Sequence, residues 1–104
     1  MPNYVDAHVV PVPKKKLQAY RRMTRKAGKI WRELGVLDYR EFVADDVKMG
    51  KWTSFPRSVK QKPGETVIVG FITYASPAHR KRVVARAMKD PRLEKIYHAK
   101  PMPF

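Results

Sequence analysis

The sequence contains no cysteine. Disulfide bonds, thiolate metal sites and cysteine nucleophiles are therefore excluded, and packing must stabilise the fold. Long apolar runs are also lacking, because the most apolar segment, Thr66 to Ala75, is about half the length of a membrane-spanning helix. The first residues, Met1 to Tyr4, lack the basic start and apolar stretch of a signal peptide. We therefore expect a cytoplasmic protein that does not insert into a membrane.

Acidic residues are few, with nine Asp and Glu against 23 Lys and Arg, which gives a formal net charge of +14. A surface this positive attracts polyanions regardless of their sequence. Two interpretations stay open: a non-specific nucleic-acid-binding surface, and a solvated or engineered surface without a ligand. The candidate basic surface consists of lysines and arginines in and beside the two longest predicted helices: Lys14, Lys15, Lys16, Arg21, Arg22, Arg25, Lys26, Lys29, Arg32, Arg80, Arg82 and Arg86.

Length and composition favour one globular unit. The chain has 104 residues, of which 43% are hydrophobic, so it can build one core but has little stability to spare. We expect a single domain over residues 1–104.

The first two elements show clear periodicity. Tyr4 to Val12 alternates and is rich in β-branched residues, which predicts a strand with odd-numbered and even-numbered side chains on opposite faces. From Leu17 to Leu34, apolar residues recur every three or four positions, which predicts a helix that ends at Gly35. Gly28 lies inside this helix, and we expect it to allow a close approach to a strand.

The rest of the chain adds two strands and a helix. The predicted elements are a strand over Val36 to Ala44, a short extended piece over Thr53 to Val59, a central strand over Thr66 to Ala75, a helix that begins at Ser76-Pro77 and buries Val83, Val84, Ala87 and Met88, and a short turn over Arg92 to Tyr97.

This β-α-β-β-α order, with right-handed crossovers, predicts an α+β fold. We expect a ferredoxin-like protomer with an antiparallel sheet and both helices on one face. A ferredoxin-like sheet would add a final strand after the second helix, and we expect that edge strand to be absent or truncated. The exposed strand edge is then a candidate site for a protein partner.

Several short segments carry a resemblance to a known family. They are Tyr4-Val5-Asp6, Val9-Val10-Pro11-Val12-Pro13, Gly50-Lys51, Thr53-Ser54-Phe55-Pro56, Val59-Lys60, Asp90-Pro91-Arg92 and Met102-Pro103-Phe104. In these segments the chain resembles the YbaA-like bacterial domains of unknown function, which belong to the dimeric α/β-barrel superfamily. The resemblance implies a homodimer formed through an open sheet face, and it implies no established activity. The chain departs from the family pattern at Ala7-His8, Trp52 and Gly70-Phe71, which keeps an engineered origin open.

The candidate pocket residues combine polar and aromatic side chains on or near the predicted strands: Tyr4, Asp6, His8, Arg40, Trp52 and Tyr74. His8 and Asp6 share a strand face, so we expect them to be neighbours that could exchange a proton. We identify no catalytic residue and expect no cofactor. We also expect no metal site, because Asp45-Asp46 and the remaining histidines lack ligand spacing.

Three functions stay open. The leading interpretation is a dimeric α/β-barrel protein of unknown biochemical role, with a candidate small-molecule pocket either between the helices and the sheet or at the dimer interface. The alternatives are a basic nucleic-acid-binding module and an assembly component, natural or engineered, that binds another protein. The absence of a phosphate-binding loop or nucleophile–base motif favours a protein that is not an enzyme, without deciding the question.

Overall fold

The computed structural model describes residues 3–99 and 102–103. Three strands and four α-helices follow one another in these ranges. The elements are β1 (Tyr4–Pro13), a 3-10 turn (Lys14–Lys16), α1 (Leu17–Glu33), β2 (Asp38–Val43), α2 (Phe55–Ser58), β3 (Glu65–Tyr74), α3 (Pro77–Ala87) and α4 (Pro91–Tyr97). Met1, Pro2 and Phe104, which the sequence interpretation used, lie outside the described residues.

The strands form one antiparallel sheet in the order β1–β3–β2. The nearly continuous apolar strand β3 takes the centre, where both of its edges are paired. This order is consistent with the expected ferredoxin-like α+β fold. In the part of the chain that the structure describes, no fourth strand follows α3, and the outer edge of β1 has no strand beside it.

Helices α1 and α3 pack on the same face of the sheet, as predicted. Tyr20 of α1 contacts Ile68, and Val83 of α3 contacts Tyr74. Ile68 and Tyr74 are both even-numbered positions of β3 and therefore share a face. Helix α4 extends this layer, because Leu93 is 2% exposed and packs against α1.

The two glycines of the first helical region have the predicted roles. A Cβ built at Gly28 would lie 2.8 Å from the ring carbon Cδ1 of Tyr39, so only glycine lets α1 approach β2 this closely. Gly35 has a φ of 112° and follows the end of α1, in a backbone conformation that favours glycine.

The segment Thr53 to Val59 forms helix α2 at its centre, so the prediction of an extended piece is wrong. The reason is local capping: Ser54 Oγ accepts a hydrogen bond from the Arg57 backbone N–H at 3.2 Å, and Pro56 suits a first helical turn. The Arg57 guanidinium also donates to the Met49 carbonyl oxygen at 2.8 Å, which ties the preceding loop to α2.

Two expectations near α3 also need correction. Met88 is 79% exposed and does not join the core, because α3 ends at Ala87. The expected turn after it is helix α4, capped by Asp90, whose carboxylate accepts the Arg92 backbone N–H at 2.8 Å.

The opposite face of the sheet is apolar, and the residues that the structure describes leave it largely uncovered. We call it the open sheet face and define it by side chains from all three strands: Val5, Ala7, Val9, Phe42, Val69 and Phe71. Val5 is 48%, Phe42 53% and Phe71 38% exposed, and the two phenylalanine rings meet edge to face with centroids 6.1 Å apart. Phe55 of α2 lies beside Val69 at one end of this face.

Candidate functional site

A polar row crosses the helix-covered face of the sheet. His8 on β1 and Glu41 on β2 both lie opposite Gly70 on the central strand. Because Gly70 has no side chain, the His8 ring extends over β3 and its Nε2 reaches Glu41 Oε1 at 3.0 Å. A Cβ built at Gly70 would overlap the His8 ring. The glycine therefore creates the space for this contact between two strands that are not neighbours.

Glu41 is the centre of a hydrogen-bonded cluster between the sheet and α1. Tyr20 donates to Oε1 at 2.6 Å, and Tyr39 reaches Oε2 at the longer distance of 3.4 Å. Burial alone would raise the pKa of Glu41, but hydrogen bonds from His8 and Tyr20 outweigh it, so the pKa lies below its usual value. The cluster thus holds a carboxylate in its ionised form although its side chain is only 10% exposed.

The two tyrosines of the cluster remain protonated donors. Burial is the main reason that the pKa values of Tyr20 and Tyr39 are raised far above normal, and the Glu41 carboxylate raises both further. The backbone of Tyr39 is held as well, because Arg32 donates to its carbonyl oxygen at 2.7 Å. Helix α1 therefore contacts β2 at two points of Tyr39. The ring of Tyr39 packs against Gly28, and its carbonyl oxygen accepts the hydrogen bond from Arg32.

A cavity of about 530 Å³ opens beside this cluster, between α1 and the outer edge of β2. This volume lies within the range of small-molecule sites. Its polar wall comes from α1 and β2 and its apolar wall from β2 and β3. The lining residues are Tyr20, Arg21, Thr24, Arg25, Gly28, Arg32, Tyr39, Glu41, Phe42, Val43 and Ile68.

Asp6 does not pair with His8 as expected. Its carboxylate accepts a hydrogen bond from Arg80 of α3 at 2.7 Å, while His8 turns to Glu41. Tyr74 lies near this pair with its hydroxyl buried and without a well-aligned hydrogen-bond partner among the described residues. Burial, followed by the charge of Asp6, raises the pKa of Tyr74 to about 12.

The other candidate pocket residues lie apart. Arg40 projects on the open side of the sheet, where its guanidinium pairs with Asp38 at 2.6 Å. Trp52 lies in the loop before α2, is 84% exposed and contacts Lys51. Tyr4 is 41% exposed at the start of β1. The six residues predicted as one pocket do not line a common cavity among those described, and their part in binding stays a prediction.

Sequence reasoning missed the residues that build the cavity: Tyr20, Tyr39 and Glu41. Tyr20 was part of the apolar stripe of the first helix, and strand β2 looked polar on both faces. A signal was present in Gly70, since an isolated glycine in a central strand indicates a close approach. The sequence alone could not show which side chains approach Gly70, because that depends on the register that pairs His8 of β1 and Glu41 of β2 with it.

The predicted basic surface is accessible. Most of its side chains are exposed, including Arg21, Arg22 and Arg25 on α1. Some of these basic side chains already form contacts within the protein. Arg80 pairs with Asp6, and Arg86 donates to the Leu34 carbonyl oxygen at 3.3 Å.

The described residues were also compared with the patterns of metal sites and membrane spans. Over residues 3–99 and 102–103, no three His, Asp or Glu side chains come together as metal ligands would. The helices of the same ranges are too short or too polar to cross a bilayer.

Comparisons with known proteins agree with one another. The family model described as "Protein of unknown function (DUF1428)" matches residues 3–104. The chain is 40% identical over 101 residues to "Uncharacterized protein YbaA" of Escherichia coli (strain K12). The aligned region covers 97% of this chain and 85% of the relative. The protein of the same name from Shigella flexneri gives the same values.

Proposed function

The chain belongs to the DUF1428 family of proteins of unknown function, as its resemblance to YbaA-like domains indicated, and from this premise we propose that it binds a small organic molecule. The supporting observation is the cavity between α1 and β2, where an ionised, largely buried Glu41 faces the arginines of α1. A concave shape of this volume, with polar groups that converge beside an apolar wall, is a feature of ligand sites.

A fragment screen with a blocked variant tests this proposal. Thr24 lines the cavity from α1, so Thr24→Trp fills it, whereas Arg22→Trp places the same side chain on an exposed site outside the lining. Ligand-observed NMR should find fragments that bind the parent and Arg22→Trp but not Thr24→Trp. Fragments that bind all three proteins alike, or no binding fragment at all, would contradict the proposal.

The second part of the proposal is a homodimer formed through the open sheet face. Exposed aliphatic and aromatic side chains on one continuous face favour association, because burying them removes apolar surface from water. A second copy presents the same face and can cover it with twofold symmetry.

Sedimentation of matched charge variants tests the dimer. Phe71→Arg places a charge within the open sheet face, whereas Met88→Arg adds the same charge on the exposed end of α3. We expect the parent and Met88→Arg to sediment as dimers and Phe71→Arg as a monomer. A parent that stays monomeric at every concentration removes this part of the proposal.

A non-specific nucleic-acid-binding function is the second candidate, and the exposure of adjacent arginines and lysines along α1 favours it. Filter binding of generic duplex DNA at several salt concentrations tests it, because phosphate contacts give a steep fall of log affinity with log salt. Arg22→Gln with Lys26→Gln should make that slope shallower. A slope near zero for the parent speaks against this function.

No strand among the described residues pairs with the outer edge of β1, and this supports a third candidate, an assembly component that binds an extended segment of another protein. Proline at a mid-strand position would block such pairing. A pull-down with Ala7→Pro and, as control, Ala85→Ser on exposed α3 would detect a partner that binds the parent and the control only. A partner retained by Ala7→Pro would place its contacts elsewhere.

A further inference from the structure

The lining of the cavity beside α1 combines opposite charges with apolar side chains. Arg21 and Arg25 line it from the helix, and Glu41 lines it from β2. Resting on the proposed function, we propose that its ligand is an organic carboxylate with a hydroxyl group at the far end of a flat apolar body. The carboxylate would bind the arginines, and the hydroxyl would donate to Glu41.

The arginine end is suited to a carboxylate. Arg21 and Arg25 are one helical turn apart and exposed, and within the part of the chain that the structure describes neither forms a salt bridge with an acidic side chain. Two like charges at this spacing destabilise a helix, and an anion between them relieves the repulsion. The planar guanidinium matches a carboxylate with two parallel hydrogen bonds. Arg32, in contrast, already donates to the Tyr39 carbonyl oxygen at 2.7 Å.

The glutamate end is suited to a hydroxyl donor. Glu41 Oε1 accepts bonds from His8 and Tyr20, whereas Oε2 has the long 3.4 Å contact with Tyr39. Thr24 also hydrogen-bonds to this carboxylate. An ionised carboxylate oxygen can accept a further hydrogen bond. A second anionic group at this end would be repelled by Glu41. A cationic group would be disfavoured by the arginines along the cavity, so a neutral donor fits best.

The wall between the two ends is suited to an apolar body. Val43 and Ile68, which lie on the helix-covered face of the sheet, line the cavity opposite the polar side chains of α1. An aromatic ring with polar substituents at opposite positions combines an apolar body for this wall with a carboxylate and a hydroxyl group.

Three small probes separate the contributions. Isothermal titration calorimetry with 4-hydroxybenzoate, benzoate and phenol compares the complete ligand with one that lacks the hydroxyl and one that lacks the carboxylate. Because a hydrogen bond to a charged group is worth about 1.5–3 kcal/mol, we expect 4-hydroxybenzoate to bind roughly 10-fold to 150-fold more tightly than benzoate. Tighter binding of 4-(aminomethyl)benzoate than of 4-hydroxybenzoate would overturn the hydroxyl assignment.

Matched variants assign each end of the ligand. Arg25→Gln should weaken the binding of 4-hydroxybenzoate and benzoate by a similar factor and leave phenol unchanged. Arg22→Gln removes the same charge from an exposed position outside the cavity and should change none of the three. Glu41→Gln should reduce the advantage of 4-hydroxybenzoate over benzoate. Equal effects of Arg25→Gln and Arg22→Gln would contradict the proposal even if Glu41→Gln does not fold.

The experiments distinguish a wrong choice of ligand chemistry from a cavity that does not bind ligands. If none of the three probes binds but a screened fragment is still excluded by Thr24→Trp, the ligand class is wrong and the cavity remains a site. If 4-hydroxybenzoate binds Thr24→Trp as tightly as the parent, the cavity is not where it binds, and the proposed function fails with it.

Discussion

At the scale of single residues, the geometry of the cluster depends on the missing side chain at Gly70. His8 reaches Glu41 only because nothing projects from the central strand between them. The alternation of β1 correctly predicted that His8 and Asp6 share one face of the strand. It also suggested that the two side chains pair with each other, which they do not. The actual partner, Glu41, is 33 positions away, since cross-strand register rather than sequence distance determines it.

Gly70→Ala should therefore destabilise the protein. The added methyl group overlaps the His8 ring, and forcing extra volume into such a site typically costs about 1–3 kcal/mol. The free energy of unfolding in urea measures this effect. In a His8→Ala background the same change should cost much less, because the clashing ring is gone. An equal cost in both backgrounds would show that the His8 ring does not occupy this space.

Glu41 should contribute to a loss of stability in acid. Its pKa is lowered in the folded protein, so the unfolded chain binds its proton at higher pH than the folded chain does. The stabilisation is present above the ordinary pKa of the group and is lost as the pH falls through the lowered folded-state pKa. Urea unfolding between about pH 7 and pH 3 measures this loss.

The matched comparison is between Glu41→Gln and Glu94→Gln. Glu94 is exposed on α4, so its replacement should leave the acid-dependent loss nearly as in the parent. Glu41→Gln should remove a part of it. The same pH profile for parent and Glu41→Gln would rule out a folded-state hydrogen-bonded carboxylate at this position.

At the scale of elements, local capping sets where helices begin. Ser76 was predicted to start α3, and its Oγ accepts the His79 backbone N–H at 3.1 Å. The same motif at Ser54 begins α2, which the sequence interpretation took for an extended piece. The capping signal was equally readable there, but the helix has only four residues and carries no periodicity to support it.

Ser76→Ala should cost about 1 kcal/mol of unfolding free energy, because the His79 N–H loses its acceptor. Ser76→Asp keeps an acceptor at the same position and should restore most of the stability. Thermal or urea unfolding of the three proteins measures the difference. If alanine and aspartate behave alike, the cap does not contribute to stability.

At the scale of the whole molecule, charge opposes folding. The formal net charge of +14 produces self-repulsion in the compact state, and salt screens it over a distance of about 10 Å at 0.1 M. The unfolding free energy should therefore rise from about 0.01 M to about 0.5 M sodium chloride. A fall in stability over this range would mean that attractive ion pairs, such as Arg80 with Asp6, outweigh the repulsion.

The sequence by itself determined the order of the three strands and the two long helices, the single helix-covered sheet face, the close approach at Gly28 and the family. Each of these follows from periodicity, from turn chemistry or from motifs that are local in the chain. Only the tertiary structure decided that Glu41, Tyr20 and Tyr39 form the cluster, and that Arg40 and Trp52 lie apart from it. The physical reason is strand register: pairing β1 and β2 to either side of β3 brings distant residues into one row, and no local pattern encodes which residues those are.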